Sequence, residues 1–390
     1  MSETRNIFIT GWKKRLFIKV LDCYHLLLRR LCKKHFKGGT APPRRILLCK
    51  WGGFGDVVIA LRVIPHLKRA FPGCQIGVLV HTHAKMAAEK SSHVDFVHHF
   101  DMKLFSSQTL LGRLCELIHF AFFVERRLAK KIQSIGYDLA LDLCFFYPHA
   151  ISTMWKAKIP MRLGFDHAGY SFLLTRSISH PEALYFPFVF TALLKELGIS
   201  CQMQSRPFAP RLSPNIPKSP YILLHPFSRE TEKEFAPSLW NQLYELFREQ
   251  GHEVYVTGAG SREKPIADEI VADPSYNLCN RLQWEEWVQA IGECALLVSV
   301  DTASVHIAAE AGAPLIVLYK STPNIDFWRP NQSLAFVQTD PYPYLGKRKD
   351  GKVLCRAELD AKEIFKESLQ VLRNHESTQT DRLHSYLQPL

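Results

Sequence analysis

Two segments hold residue types and spacings that could do chemistry. Gly52-Gly53-Phe54-Gly55-Asp56 places a carboxylate directly behind three glycines. Asp301-Thr302-Ala303-Ser304-Val305-His306 sets an acid, two hydroxyls and an imidazole within two helical turns. Glycine lets backbone approach a ligand closely, and a helix N-terminus favours negative charge. Asp56 therefore reads either as an exposed acid or base, or as a helix cap and nothing more. Asp301 and Thr302 read as a helix start, with backbone N–H groups and the hydroxyls of Thr302 and Ser304 available to phosphate oxygens. His306 falls one turn later, on the side of Thr302. Capping alone explains Asp301 and Thr302 but does not require His306. A third segment, His225-Pro226-Phe227-Ser228-Arg229, is followed by Lys233. Two cations after a strand suit a diphosphate, or are ordinary exposed loop charges.

Each segment follows an apolar run of the kind that makes a buried parallel strand. Residues 45–50 read as a strand, 57–71 as a helix closed by Pro72-Gly73, and 75–80 as the next strand: a right-handed βαβ unit. Residues 94–100 and 137–143 are further strands, with a helix over 111–134. Five prolines between 205 and 220 mark a boundary, after which the pattern restarts. Strands are expected at 221–225, 253–257, 295–300 and 314–319, helices at 238–250 and near 359–373, and then a frayed tail. The fold class is α/β, with two Rossmann-like doubly wound domains facing across a cleft. The expected boundaries are a basic segment at 1–43, domains at 44–205 and 206–345, and a C-terminal helix and tail at 346–390. Ligands of such sheets sit beyond the carboxyl ends of the strands, where the Gly52–Asp56 and Asp301–His306 segments fall.

Composition narrows the function. With 390 residues and 47% hydrophobic content, the chain suits two well-packed domains. Ten cysteines without a Cys-x-x-Cys pair read as reduced thiols. Of the net charge of +12, residues 1–45 carry +10, as twelve Lys/Arg against Glu3 and Asp22. That concentration excludes a whole-surface nucleic-acid binder. Trp12, Leu16, Val20, Leu27 and Leu31 form an apolar stripe among Lys13, Lys14, Arg15, Lys19, Arg29 and Arg30. This is a basic amphipathic helix, lying on an anionic membrane surface or packed on the first domain. The absence of Gly-x-Gly-x-x-Gly spacing, and of an acid after the second strand, argues against a nicotinamide oxidoreductase. The lack of a Gly-x-Ser-x-Gly elbow argues against an α/β-hydrolase. No Asp-x-Asp pair suggests a bridging divalent cation, and His81/His83 and His98/His99 lack the partners of a zinc site.

Taken together, residues from about 45 to 373 resemble glycosyltransferase family 9, the lipopolysaccharide heptosyltransferases. The resemblance rests on Gly55-Asp56-Val57-Val58, on His225-Pro226 through Lys233, on Asp301-Thr302 with His306 and Ala308-Ala309, and on Trp328-Arg329-Pro330. It implies a GT-B fold and inverting transfer from ADP-heptose to a lipid A–Kdo type acceptor at the cytoplasmic membrane face, without metal or cofactor. It implies Asp56 as base and Lys233 as partner of the departing diphosphate. Ser228, Arg229, Glu263, Asp301, Thr302, Ser304 and His306 are implied around the donor, and Gly52, Gly53 and Gly55 as close-approach positions. The chain departs from the family at Phe227 and Ala303, where small residues or glycine are usual, and at Lys320, where glycine normally follows the last strand. Two alternatives remain: transfer from a different nucleotide sugar, or a catalytically silent nucleotide-binding protein at the membrane.

Overall fold

The computed structural model describes residues 41–101, 112, 119–144, 149–166, 170–181, 186–200, 215–218, 220–320, 325–340 and 351–387. The basic residues expected at a membrane, Trp12 to Arg30, lie outside the described residues. The chain divides into two compact units, Met1–Pro207 and Phe208–Leu390.

In the first unit, β1 (Arg45–Cys49) leads through the glycine loop into α1 (Phe54–Leu61) and α2 (Ile64–Ala70). Then come β2 (Gln75–His81), α3 (Lys85–Glu89), β3 (Phe96–Phe100), α4 (Glu125–Ile135), β4 (Leu139–Asp142), α5 (His149–Lys156), β5 (Met161–Phe165), β6 (Arg176–Ile178) and α6 (Phe186–Glu196). The strands pair in parallel in the order β3-β2-β1-β4-β5-β6. Strand order reverses between β1 and β4, so the crevice for a ligand opens at their carboxyl ends. The single helix expected over 57–71 is two helices. Pro65 has no N–H for the Leu61 carbonyl, and the turn tightens instead through Arg62 N–H to Ile59 and Val63 N–H to Ala60. α4 is entered through a π-helical turn, Phe120–Val124, and ended by Gly136 at φ 75°.

The second unit runs β7 (Ile222–His225), α7 (Pro237–Glu249), β8 (Val254–Val256), α8 (Glu263–Ile270), α9 (Trp284–Glu293), β9 (Leu296–Val300), α10 (Ala303–Ala311), β10 (Leu315–Lys320), α11 (Ile325–Trp328), β11 (Leu334–Gln338), β12 (Val353–Arg356) and α12 (Ala361–Leu387). Its strands are again parallel, ordered β12-β11-β10-β9-β7-β8, with the reversal between β7 and β9. Where a frayed tail was expected, α12 continues to Leu387, because no glycine or proline interrupts 361–387. Each sheet is covered by its own apolar cluster: Trp51, Leu79, Phe100 and Phe120 in the first unit, Trp240, Phe247, Val298 and Phe336 in the second.

Candidate active site

At the reversal point of the first sheet, Lys50 follows the last residue of β1 and is only 2% exposed. Its Nζ lies 3.1 Å from Oδ1 of Asp56. The other carboxylate oxygen accepts the Gly53 N–H at 2.8 Å. Both oxygens are thus held, while a quarter of the Asp56 side chain stays open to solvent. Asp56 does cap α1, but it is more than a cap, because an ion pair to a buried lysine fixes its second oxygen. Asp56 leaves no room for a side chain at 52 and little at 53: a Cβ on Gly52 would stand 2.7 Å from Asp56 Cγ, and one on Gly53 would stand 3.3 Å from Oδ2. Gly55 lies inside the first turn of α1.

Beside this pair, Asp142 ends β4 in register with Cys49 and is 1% exposed. Burial pushes its pKa up to about 7, against the opposing pull of the Cys144 N–H and of Lys50. Two carboxyls and one ammonium therefore share the switch point. Lys50 and Asp142 were missed in the sequence reading. The signal was a lysine and an aspartate ending two otherwise apolar strands.

In the second unit, the loop after β7 ends in a short 3-10 turn, Thr231–Lys233. Lys233 Nζ is 3.0 Å from Asp301 Oδ2 and 3.3 Å from Glu230 Oε2. Burial pushes the Lys233 ammonium down, but the two carboxylates outweigh it, and its pKa lies above the ordinary lysine value. Asp301 follows β9, and Thr302 is the N-cap of α10 without using its side chain to cap it. The hydroxyl of Ser304 is fully buried, 2.7 Å from that of Ser299, and braces the helix start from inside. His306 is also buried. Of the 301–306 segment, Asp301 and Thr302 are therefore the half-exposed members.

Ser228 belongs to a separate chain of contacts. Its N–H donates to Glu234 at 2.7 Å, and Arg262 grips the same Glu234 with two nitrogens while reaching Glu263 at 3.2 Å. Glu263 sits under Gly260 (φ 151°), where a Cβ would fall 2.0 Å from its carboxylate. Asn280 pins the loop through both the N–H and the carbonyl of Gly260. Arg229 is exposed on the β7 loop. Burial holds the pKa of His225 down to about 4, so positive charge on this loop comes from Arg229 and Lys233. Lys320 ends β10 with its ammonium 5.5 Å from the ring centroid of Phe235, two residues after Lys233. The large side chain of Phe227 is accommodated because it packs where Gly258 has none: a Cβ there would lie 2.6 Å from the ring.

Residues 125–352, more than half of the chain, match glycosyltransferase family 9 (heptosyltransferase). The chain belongs to glycosyltransferase family 9. It is a glycosyltransferase, and the matched span contains the whole Lys233–Asp301 cluster. It is similar to lipopolysaccharide heptosyltransferase 3 of Escherichia coli strain K12, 21% identical over 300 residues that cover 71% of this chain and 82% of that one. Among solved structures, ADP-heptose LPS heptosyltransferase II of E. coli superposes with a TM-score of 0.60 at 17% identity, over 85% of this chain and 99% of that chain. E. coli heptosyltransferase WaaC with ADP gives 0.61 at 15% identity, over 84% and 99%. These likenesses establish the fold, two Rossmann-like units of the GT-B type.

Proposed function

We propose that this family 9 enzyme transfers a heptose from ADP-heptose to the inner core of a lipid A–Kdo type acceptor, with inversion and without a metal, at the cytoplasmic face of the membrane. The observation that carries the reading is the Asp56 carboxylate, clamped at both oxygens yet open to solvent at the switch point of the first sheet. Asp56 takes the proton of the acceptor hydroxyl as that oxygen attacks the anomeric carbon. The bond from that carbon to the ADP oxygen breaks on the opposite side, which inverts the centre. A placed carboxylate contributes about 10²–10⁴-fold to such a step. Lys50 and the Gly53 N–H keep the carboxylate oriented, so little of that contribution is lost to rotation.

Charge grows on the diphosphate as ADP leaves. Lys233, kept protonated by Asp301 and Glu230, is positioned to take up that charge. Asp301 and Thr302 hold the donor sugar and phosphates at the start of α10, and Arg229 adds a second cation on the β7 loop. Ser304 and His306 support this start from within the fold. Glu263, fixed by Arg262 beneath Gly260, is set to receive ribose hydroxyls. The two similar E. coli structures, an ADP-heptose LPS heptosyltransferase and a heptosyltransferase with ADP, support this donor.

The test is a panel of nucleotide sugars offered with a truncated lipid A–Kdo acceptor and read by mass. A gain of one heptose with ADP-heptose alone is expected. Product from a UDP- or GDP-sugar but not from ADP-heptose would overturn the donor. Lys320, a cation where the resemblance expects glycine, is the observation that favours that second reading.

A further inference from the structure

The outer surface of α4 carries charge and bulk that the transfer reaction does not use. The π-helical turn Phe120–Val124 runs directly into it. On the inner side, the Phe120 ring lies 5.8 Å from Trp51 and 6.0 Å from Phe100 between centroids. That contact seats the start of the helical segment at the carboxyl edge of the sheet, beside the Gly52–Asp56 loop. On the outer side, Phe123 is 66% exposed and stacks on the exposed His119 at 5.6 Å. Arg126, Arg127, Lys130 and Lys131 follow, all exposed, while Leu128, Ala129 and Ile132 are buried. At 100° per residue, the four cations fall within about 80° of Phe123, on one face. The only acid of α4 is Glu125, which is 1% exposed and paired inward with Lys156 at 2.5 Å. It does not neutralise the outer face.

A solvated helix face commonly mixes both signs of charge. Among the described residues of Phe120–Val124 and α4, the charges on this face are all cations, and Phe123 stands exposed beside them. Met86, 48% exposed, follows the carboxyl end of β2 by five residues and adds apolar surface near the same edge. We propose that the outer face of Phe120–Val124 and α4 rests on an anionic lipid surface, the cations on phosphate headgroups and Phe123 in the interface. Charge complementarity selects this occupant over the chain's own N-terminal segment, because residues 1–45 carry +10 and would be repelled. The inference rests on the proposed function in one respect: a lipid-borne acceptor would then arrive at the edge of the sheet that holds Asp56.

The test uses the full chain and vesicles of phosphatidylglycerol and phosphatidylcholine, compared with phosphatidylcholine alone, by co-sedimentation. Lys130→Gln with Lys131→Gln is expected to weaken partition into the anionic vesicles about 25-fold, at about fivefold for each cation near the surface. Phe123→Ser is expected to weaken it about tenfold and to be insensitive to salt. Turnover of a water-soluble, deacylated acceptor should stay at the wild-type level in both variants, and turnover of acceptor embedded in vesicles should fall. Wild-type partition in both variants would overturn the proposal. So would lost heparin binding with retained vesicle binding, which would assign the face to a different polyanion. If Lys130→Gln/Lys131→Gln melts early, Arg127→Gln/Lys131→Gln on the same face gives the same readout. Asp56→Asn separates the two readings: wild-type turnover of the soluble acceptor in that variant would count against the Asp56 role and not against this proposal.

Discussion

Replacing Lys50 with methionine keeps most of the side-chain volume and removes the charge that holds Oδ1 of Asp56. A hydrogen bond to a charged group contributes about 1.5–3 kcal/mol. If that orientation is lost in the transition state, turnover falls by roughly 10–150-fold. The Gly53 N–H still holds the other oxygen at 2.8 Å, which places the expectation near the lower end, about 10–30-fold. Asp56→Asn should cost about 10²-fold or more. The informative variant is the pair. Lys50 acts through Asp56, so Lys50→Met should cost less than about threefold once Asp56 is asparagine. Steady-state release of ADP measures turnover, and calorimetric titration with ADP checks that nucleotide affinity is unchanged, since the proposed donor residues Lys233 and Asp301 lie in the other unit. Two results would refute the reasoning: near-normal turnover of Lys50→Met, or an undiminished loss in the Asp56→Asn background. The second would mean that Lys50 supports the fold and not the carboxylate.

If Lys233 takes up the charge of the departing diphosphate as proposed, Lys233→Gln should lower turnover by roughly 10²–10³-fold and weaken ADP binding by titration; unchanged ADP affinity would remove Lys233 from the donor site. Gly52→Ala brings a Cβ to 2.7 Å from Asp56 Cγ, so turnover should fall while ADP affinity holds; wild-type turnover would show that the loop has room to move. Asp142 predicts a pH effect on stability. Its folded pKa, raised to about 7, means that the folded chain holds a proton that the unfolded chain releases between the ordinary carboxylate range and pH 7. Stability contributed by this group therefore falls as pH rises through that window and is level above it. Asp142→Asn should flatten the dependence and raise the melting temperature most above pH 7; an unchanged slope of melting temperature against pH would rule this out.

The elements that position the site were legible because their residues are either continuously apolar or stop at glycine and proline. Arg45–Cys49, Ile222–His225 and Leu296–Val300 are buried on both sides and read as such. Two of the four edge strands were not legible for the converse reason. Arg176–Ile178 and Val353–Arg356 are short and partly exposed, so they carry no apolar run. Proline at 65 was visible, but its consequence, a broken helix, depended on the neighbouring carbonyl. Within the site, Asp56, Lys233 and Asp301 could be named from their motifs. Lys50 was visible as a charge ending an apolar strand, but its pairing with Asp56, like that of Glu230 with Lys233, is a distance that no spacing states. The burial of Ser304 against Ser299 likewise depends on which face of α10 turns toward β9.

Phe227 and Gly258 form a lock whose two halves sit 31 positions apart in the chain. The ring occupies the volume that any side chain at 258 would need. The order in which these positions change is therefore constrained. A bulky residue at 227 is tolerated only where 258 is already glycine, and glycine at 258 can no longer be exchanged once the ring is in place. A change at 227 thus restricts later change at the loop that carries Gly260 and Glu263. Positions 227 and 258 compete for one volume, which Cys279 also bounds at 3.1 Å, so exchange at either is coupled to the other.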